Sequence, residues 1–431
     1  MKKIQIVPVS GVKKKLSVQG DKSISHRAVI IGALAEGLTT VTSFLEAEDT
    51  INTVRIFKKL GVQIKKENGT VYIHGRGLAS LRQTSDVLYV GNSGTGMRLI
   101  LGVLAAQPFV SRITGDAQIV KRPMKRVIEP LQLMGASLSS NHGFAPVTVQ
   151  GGALRAIKYK MPMASAQVKS SVLLAGLYAS GDTVITEPER SRDHTERMLK
   201  YFGADISVKG NTVVLKSGAR LKGKKVVVPA DISSAAYFMA AGALMKKSSI
   251  TIVNVGLNKS RTGIIDIMKK MGAKIKLTNL KNQNGEETGD ITVSTSALKG
   301  TVIKGAIIPR LIDEIPVIAV LAAAAKGKTI IRGAKELRVK ETDRIKTVLT
   351  NLDRLGIKTE EYEDGFAVYG NEGKPFTYAS IDSYGDHRIA MAFTVAALVS
   401  ENGLLIKDID CINTSFPEFF TLIKSLKGKK K

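Results

Sequence analysis

The chain has 431 residues, 44% of them hydrophobic, and a formal net charge of +27. That length exceeds one ordinary domain and the apolar content can fill two or three cores, which excludes a disordered or fibrous protein. No apolar run reaches the ~18 to 20 residues of a membrane span, and the opening "MKKIQIVPVSGVKKK" lacks a signal-peptide core.

A soluble cytoplasmic protein is therefore expected. The one cysteine, Cys411, excludes an internal disulfide and a cysteine metal cluster. The excess of cations has three explanations: nucleic acid, small anionic substrates, or a solvated lysine surface. With 5% aromatic residues and no Trp, the chain offers no stacking platform for single strands. The clusters Lys13 to Lys15, Lys222 to Lys225 and Lys429 to Lys431 read as solvated loops and a frayed tail.

In chain order, "KIQIVPV" is a strand without a neighbour in sequence. "GDKSISHRAVIIGALAEG", Gly20 to Gly37, then sets Lys22, Ser23, Ser25, His26 and Arg27 against an apolar run. Taken alone, it is a helix amino end with a serine cap. A strand, a polar loop and the amphipathic "TINTVRIFKKLG" follow, and then an alternating hairpin. This order of apolar helix, strand, loop, amphipathic helix and hairpin recurs in copies beginning near residues 21, 92, 164, 231, 311 and 384. The amphipathic helices stop at glycines in Leu60-Gly61-Val62, Met134-Gly135-Ala136, Phe202-Gly203-Ala204, Met271-Gly272-Ala273 and Leu355-Gly356-Ile357.

The sixth copy ends at "FFTLIKSLKGKKK" without its hairpin, so the opening strand is expected to close it and to bring both termini into one domain. The copies divide three and three. The expected domains are 21–229, and 1–20 with 230–431, in an α/β (α+β) fold.

The unusual residues fall at the apolar helix starts: "GDKSISHR", "GNSGTGMR", "MASAQVK", "ADISSAAY", "LIDEIP" and "YGDHR". A helix amino end presents free N–H groups and the positive end of the dipole. Lys22, Arg27, Arg98, Lys169 and Arg388 near these ends make positive pockets for anions. The glycines of "VGNSGTGMR" let backbone approach a ligand, but their spacing is not that of a dinucleotide fingerprint. "AAAAKGKT", Ala322 to Thr329, mimics a phosphate loop in the wrong order, after a helix and before a strand.

The loops "DAQIVKRPMKR", "ERSRDHTER" and "ELRVKETDRIK" add cations, and the last sets Glu341 between Lys340 and Arg344 as a proton-transfer residue beside an anion clamp would lie. The five histidines have no mutual ligand spacing, and no G-x-S-x-G elbow occurs. These features point to a cofactor-free enzyme in which cations hold anions while carboxylates, and a lysine or histidine, move protons.

The ordered set "GDKSISHR", "GNSGTGMR", "KRPM", "PMASAQVKS", "RDHTE", "DEIP", "RVKETDR", "GDHRIAM" and "TSFPEF" closely resembles the 5-enolpyruvylshikimate-3-phosphate (EPSP) synthase family, in its class II branch, from about Leu16 to Phe420. The resemblance implies a two-domain enolpyruvyl transferase fold of six βαβαββ units, three per domain, with the active site in the cleft between them. It implies enolpyruvyl transfer from phosphoenolpyruvate to the 5-hydroxyl of shikimate 3-phosphate, through a tetrahedral ketal with loss of phosphate, in the shikimate pathway to chorismate and aromatic amino acids. No cofactor or metal is implied. It implies that Lys22, Gly94, Arg122, Gln167, Arg344 and Arg388 bind phosphoenolpyruvate, and that Lys22, Ser23, Arg27, Ser165, Gln167, Arg192, Asp313 and Lys340 bind shikimate 3-phosphate. Asp313 would be the base on the hydroxyl, with Glu341 and Lys22 moving protons at the enolpyruvyl group. A monomer that binds neither nucleic acid nor membrane is expected, as is the family's role as a glyphosate target.

Two positions depart from the family pattern. Ser165-Ala166-Gln167 stands where many members read Ser-Ser-Gln, and Thr414-Ser415-Phe416-Pro417 lacks the lysine many members carry before Phe-Pro. Within the fold, the rival is the UDP-N-acetylglucosamine enolpyruvyl transferase, whose loop cysteine has no counterpart in "TGDAQIVKRPM". The rival from another class is a basic nucleic-acid-binding module, which predicts steeply salt-dependent duplex binding.

Overall fold

The computed structural model of the protein describes residues 2–426; Lys429 to Lys431 lie outside them. The helices are α1 (Lys22–Leu34), α2 (Glu48–Lys59), α3 (Gly94–Leu104), α4 (Lys125–Leu133), α5 (Ala166–Gly176), α6 (His194–Phe202), α7 (Ile232–Leu244), α8 (Gly263–Lys270), the short α9 (Ile308–Leu311), α10 (Ile315–Ala324), α11 (Arg344–Arg354), α12 (His387–Ala397) and α13 (Phe419–Lys424).

Helices α1, α3, α5, α7, α10 and α12 are built from small and aliphatic residues and are buried on all sides, as "IPVIAVLAAA" of α10 illustrates. Helices α2, α4, α6, α8 and α11 bury one stripe only. In α6 this is Met198, Leu199 and Phe202, and Gly203 then ends the helix at φ +107°, its N–H turned back to Leu199.

The chain forms two compact units: Gly20–Val228 with Asn282–Glu286, and a second made of the other described residues. The first unit packs α1, α3 and α5 together and surrounds them with three four-stranded sheets. In each sheet a short edge strand runs parallel to the strand that leaves the buried helix, and an antiparallel hairpin lies on its other side. One example runs Leu88–Tyr89, Val110–Thr114, Phe144–Gln150, Ser137–Asn141. The second unit repeats the plan around α7, α10 and α12. Its last sheet has no hairpin; Lys3–Ile6 takes that place, antiparallel to Leu404–Lys407, with Ser380–Asp382 parallel on the other side.

The two chain crossings exchange edge strands. Lys13–Leu16, which precedes α1, pairs with Ser249–Gly256 behind α7, and Lys225–Val227, which precedes α7, pairs with Glu36–Thr42 behind α1. Lysine clusters expected as solvated loops are therefore partly strand. The alternation explains this: Leu16 and Val226 point inward, while Lys13, Lys15 and Lys225 stay exposed on an edge where lysine discourages further pairing.

Helix α3 meets α5 at Gly102, where an added Cβ would stand 2.2 Å from the Ser171 carbonyl oxygen. Gly102→Ala is expected to destabilise the first unit by about 2 kcal/mol or more, because backbone has to move. Equilibrium urea unfolding checks this, and an unchanged midpoint contradicts the close approach.

Candidate active site

In the first unit, α1 is capped by Asp21, whose Oδ1 accepts from Ile24 N–H at 2.9 Å. The cap expected from serine is thus an aspartate, because Ser23 and Ser25 already lie inside the helix and the Ser25 hydroxyl accepts from Leu45 N–H instead. Lys22, half-buried at the first position, donates to Asp49 Oδ2 at 3.1 Å. Arg27 is buried and donates to Ser23 O, Thr195 Oγ1 and Ser170 Oγ at 3.0, 2.6 and 2.9 Å, joining α1 to α5 and α6.

Ser93 caps α3 by accepting from Gly96 N–H at 3.0 Å. A Cβ on Gly94 would lie 2.8 Å from Arg98 Nη1 and 3.1 Å from Arg122 Nη1, so both guanidinium groups press over this helix start. Asp116 accepts from Gln118 and Ile119 N–H and shapes the turn that delivers Arg122, and Arg122 donates to Asn92 Oδ1 at 2.8 Å. Arg98 in turn donates to Gln167 Oε1 at 2.7 Å, and Gln167 to Thr95 Oγ1 at 3.1 Å. Gly94, Arg122 and Gln167 thus come together around Arg98. Ser165 is the cap of α5, and Arg192 lies half-buried just ahead of α6.

Lys169 departs from expectation. Its ammonium sits at 2.7 Å from both Glu187 Oε2 and Glu196 Oε1, with 2% of the side chain exposed, so two carboxylates take up this cation.

In the second unit, Asp386 caps α12 through Arg388 N–H and has no exposed surface. It also accepts from Arg344 Nε at 2.8 Å. Arg344 itself is 1% exposed; its Nη2 donates to Glu341 Oε2 at 2.5 Å and its Nη1 to Asp313 Oδ1 at 3.4 Å. Arg388 donates to the Asp313 carbonyl at 3.0 Å, with Nη2 at 3.8 Å from the Asp313 carboxylate. Burial works against both guanidinium charges. Asp386 and Glu341 outweigh it at Arg344, and Asp313 leads the groups that outweigh it at Arg388, so both pKa values are raised. Asp313, Glu341, Arg344 and Arg388 therefore form one cluster. Lys340, on the same loop, donates to Glu336 Oε1 at 2.9 Å.

Sequence reasoning missed the partners Asp49, Asn92 and Asp116. Asp49 carries the ordinary signal of an acid in the first turn of α2, and nothing local ties it to a lysine so far back in the chain. Asp386 stands in the quoted "YGDHR", but its hold on Arg344 depends on tertiary packing.

The family model for EPSP synthase (3-phosphoshikimate 1-carboxyvinyltransferase) matches residues 6–423. The chain belongs to the EPSP synthase family. A 3-phosphoshikimate 1-carboxyvinyltransferase of Desulforamulus reducens is 51% identical over 98% of this chain and 98% of its own length. One from Geobacillus kaustophilus is 49% identical, covering 97% and 98%. The solved EPSP synthase of Acinetobacter baumannii superimposes with a TM-score of 0.89 at 44% identity, covering 99% of both chains. The protein is thus a transferase of the shikimate pathway with the enolpyruvyl transferase fold, acting on phosphoenolpyruvate and shikimate 3-phosphate. Its family is the target of glyphosate.

His26 lies under this EPSP synthase helix start, fully buried, with Nδ1 at 2.8 Å from Thr53 Oγ1 and Nε2 at 3.2 Å from Ser93 Oγ. Burial first, then the charges of Lys22 and Arg27, push its pKa from the ordinary 6.5 down to about 3. The unfolded chain takes up a proton that the folded one refuses, so stability falls as pH drops from about 6.5 toward 3. His26→Gln is expected to flatten the pH dependence of the unfolding free energy in that window. An unaltered slope contradicts the assignment.

Proposed function

We propose that the residue roles follow the cluster geometry. Lys22, Arg122, Arg344 and Arg388 hold the carboxylate and phosphate of phosphoenolpyruvate, with Gly94 and Gln167 shaping its surroundings. Lys22, Ser23, Arg27, Ser165, Gln167, Arg192, Asp313 and Lys340 hold shikimate 3-phosphate. Asp313 takes the proton from the 5-hydroxyl as its oxygen attacks the second carbon of phosphoenolpyruvate. Glu341 and Lys22 deliver a proton to the methylene, and after the tetrahedral ketal forms they withdraw one as phosphate departs.

The observation that carries this reading is the joint contact of Asp313 and Glu341 with the buried Arg344. A base for the hydroxyl and an acid for the methylene need to flank the anion that a guanidinium binds. Ala166 supplies no hydroxyl, and Thr414 donates to the Cys411 carbonyl at 2.7 Å, so phosphoenolpyruvate is held without the lysine that many members carry there. We further propose a monomer that acts in the cytoplasm without nucleic-acid or membrane partners. The small anionic substrates account for the cationic helix starts, and no helix of the described residues is long and apolar enough to cross a membrane.

Asp313→Ala is expected to lower kcat by about 10²- to 10⁴-fold while shikimate 3-phosphate binding stays measurable by calorimetry. Near-normal turnover refutes the role given to this carboxylate. Gly94→Ala pushes on Arg98 and Arg122. It is expected to raise KM for phosphoenolpyruvate by roughly tenfold and KM for shikimate 3-phosphate by less. Steady-state phosphate release with each substrate varied in turn decides this, and equal rises in both contradict it.

A further inference from the structure

The first unit holds a charged trio that the chemistry above does not use. Lys169 lies in the first turn of α5, Glu187 just after the strand Thr183–Thr186, and Glu196 in the first turn of α6; the side chains are 2%, 2% and 5% exposed. The Lys169 ammonium is 2.7 Å from each carboxylate. Glu187 also accepts from the Ser191 hydroxyl and, at 3.4 Å, from Ser191 N–H, which closes the loop leading to Arg192. Directly beside the trio, Ser170 and Thr195 are 2.6 Å apart and share the Arg27 guanidinium. Neighbouring residues of α5 thus bind neighbouring residues of α6 twice, once through Lys169 and Glu196 and once through Ser170 and Thr195.

We infer that Lys169, Glu187 and Glu196 are positioning residues for the acceptor substrate. They clamp the start of α5, with Ser165 and Gln167, against the loop that carries Arg192. This rests on the assignment of Ser165, Gln167 and Arg192 to shikimate 3-phosphate. Groups on two separate elements converge on one phosphorylated ligand only if those elements keep a fixed spacing, and polar side chains alone in a solvated loop would not impose one. A buried cation between two buried acids does, because any drift leaves a desolvated charge without its partner. Burial also raises the pKa of Glu196 despite the pull of Lys169.

The test uses Glu196→Leu, which removes one arm and leaves Lys169 paired with Glu187, and Glu196→Gln, which keeps an acceptor for the ammonium. Phosphate release is measured with each substrate varied, and melting is followed in parallel. E196L is expected to raise KM for shikimate 3-phosphate about tenfold with little change for phosphoenolpyruvate, while E196Q stays within about twofold of the parent. If E196L does not fold, Lys169→Gln carries the same expectation. A folded E196L with unchanged KM for shikimate 3-phosphate overturns the inference, as do equal rises for both substrates.

Arg192→Ala separates this failure from failure of the site assignment. An unchanged KM for shikimate 3-phosphate in R192A overturns the role of Arg192. A raised value in R192A beside a normal one in E196L overturns the clamp alone.

Discussion

A guanidinium cannot stay buried without a counter-charge, and Arg344 meets that constraint with three carboxylates, Asp386, Glu341 and Asp313. Taking such a charge out of water costs several kcal/mol unless it is paired and hydrogen-bonded. Asp386 is itself fully buried and fixed as the cap of α12, so it can only orient the arginine. Asp313 and Glu341 are partly exposed, in contrast to Asp386. One network therefore joins the proposed anion holder to the proposed proton carriers.

The same logic recurs in the first unit with different partners. Lys22 rests on Asp49, and Arg122 donates to Asn92. Lys169 is instead neutralised by two acids. Lys22 and Lys169 thus share similar sequence surroundings, within the first turns of an apolar helix, but differ in the carboxylates that surround them. The repeat accounts for the supply of helix starts: each copy contributes a buried helix whose amino end, with its N–H groups, favours negative charge.

Much of this was legible in the chain itself. The six apolar helices, the glycine stops at Gly61, Gly135, Gly203, Gly272 and Gly356, and the closing role of the first strand follow from periodicity and turn chemistry. What escaped the sequence was pairing at long range. Asp49 looks like any acid at a helix start, and Lys13–Leu16 looks like a solvated lysine run until a parallel partner is found for it far along the chain. The cap of α1 was assigned to serine because serines crowd the motif, whereas the helix begins one residue after Asp21. Side-chain partners chosen by tertiary packing leave no local trace, and that is also why Lys169 passed for an anion-binding cation.

The claim that the remainder depends on is that Asp386 aims Arg344 at phosphoenolpyruvate. Asp386→Asn keeps the shape and the helix cap but removes the charge that faces the guanidinium. Kinetics with phosphoenolpyruvate varied at saturating shikimate 3-phosphate is the direct measurement. A fall in kcat/KM of about tenfold or more, with shikimate 3-phosphate binding retained, is the predicted result. A folded D386N with unchanged kcat/KM for phosphoenolpyruvate would contradict it.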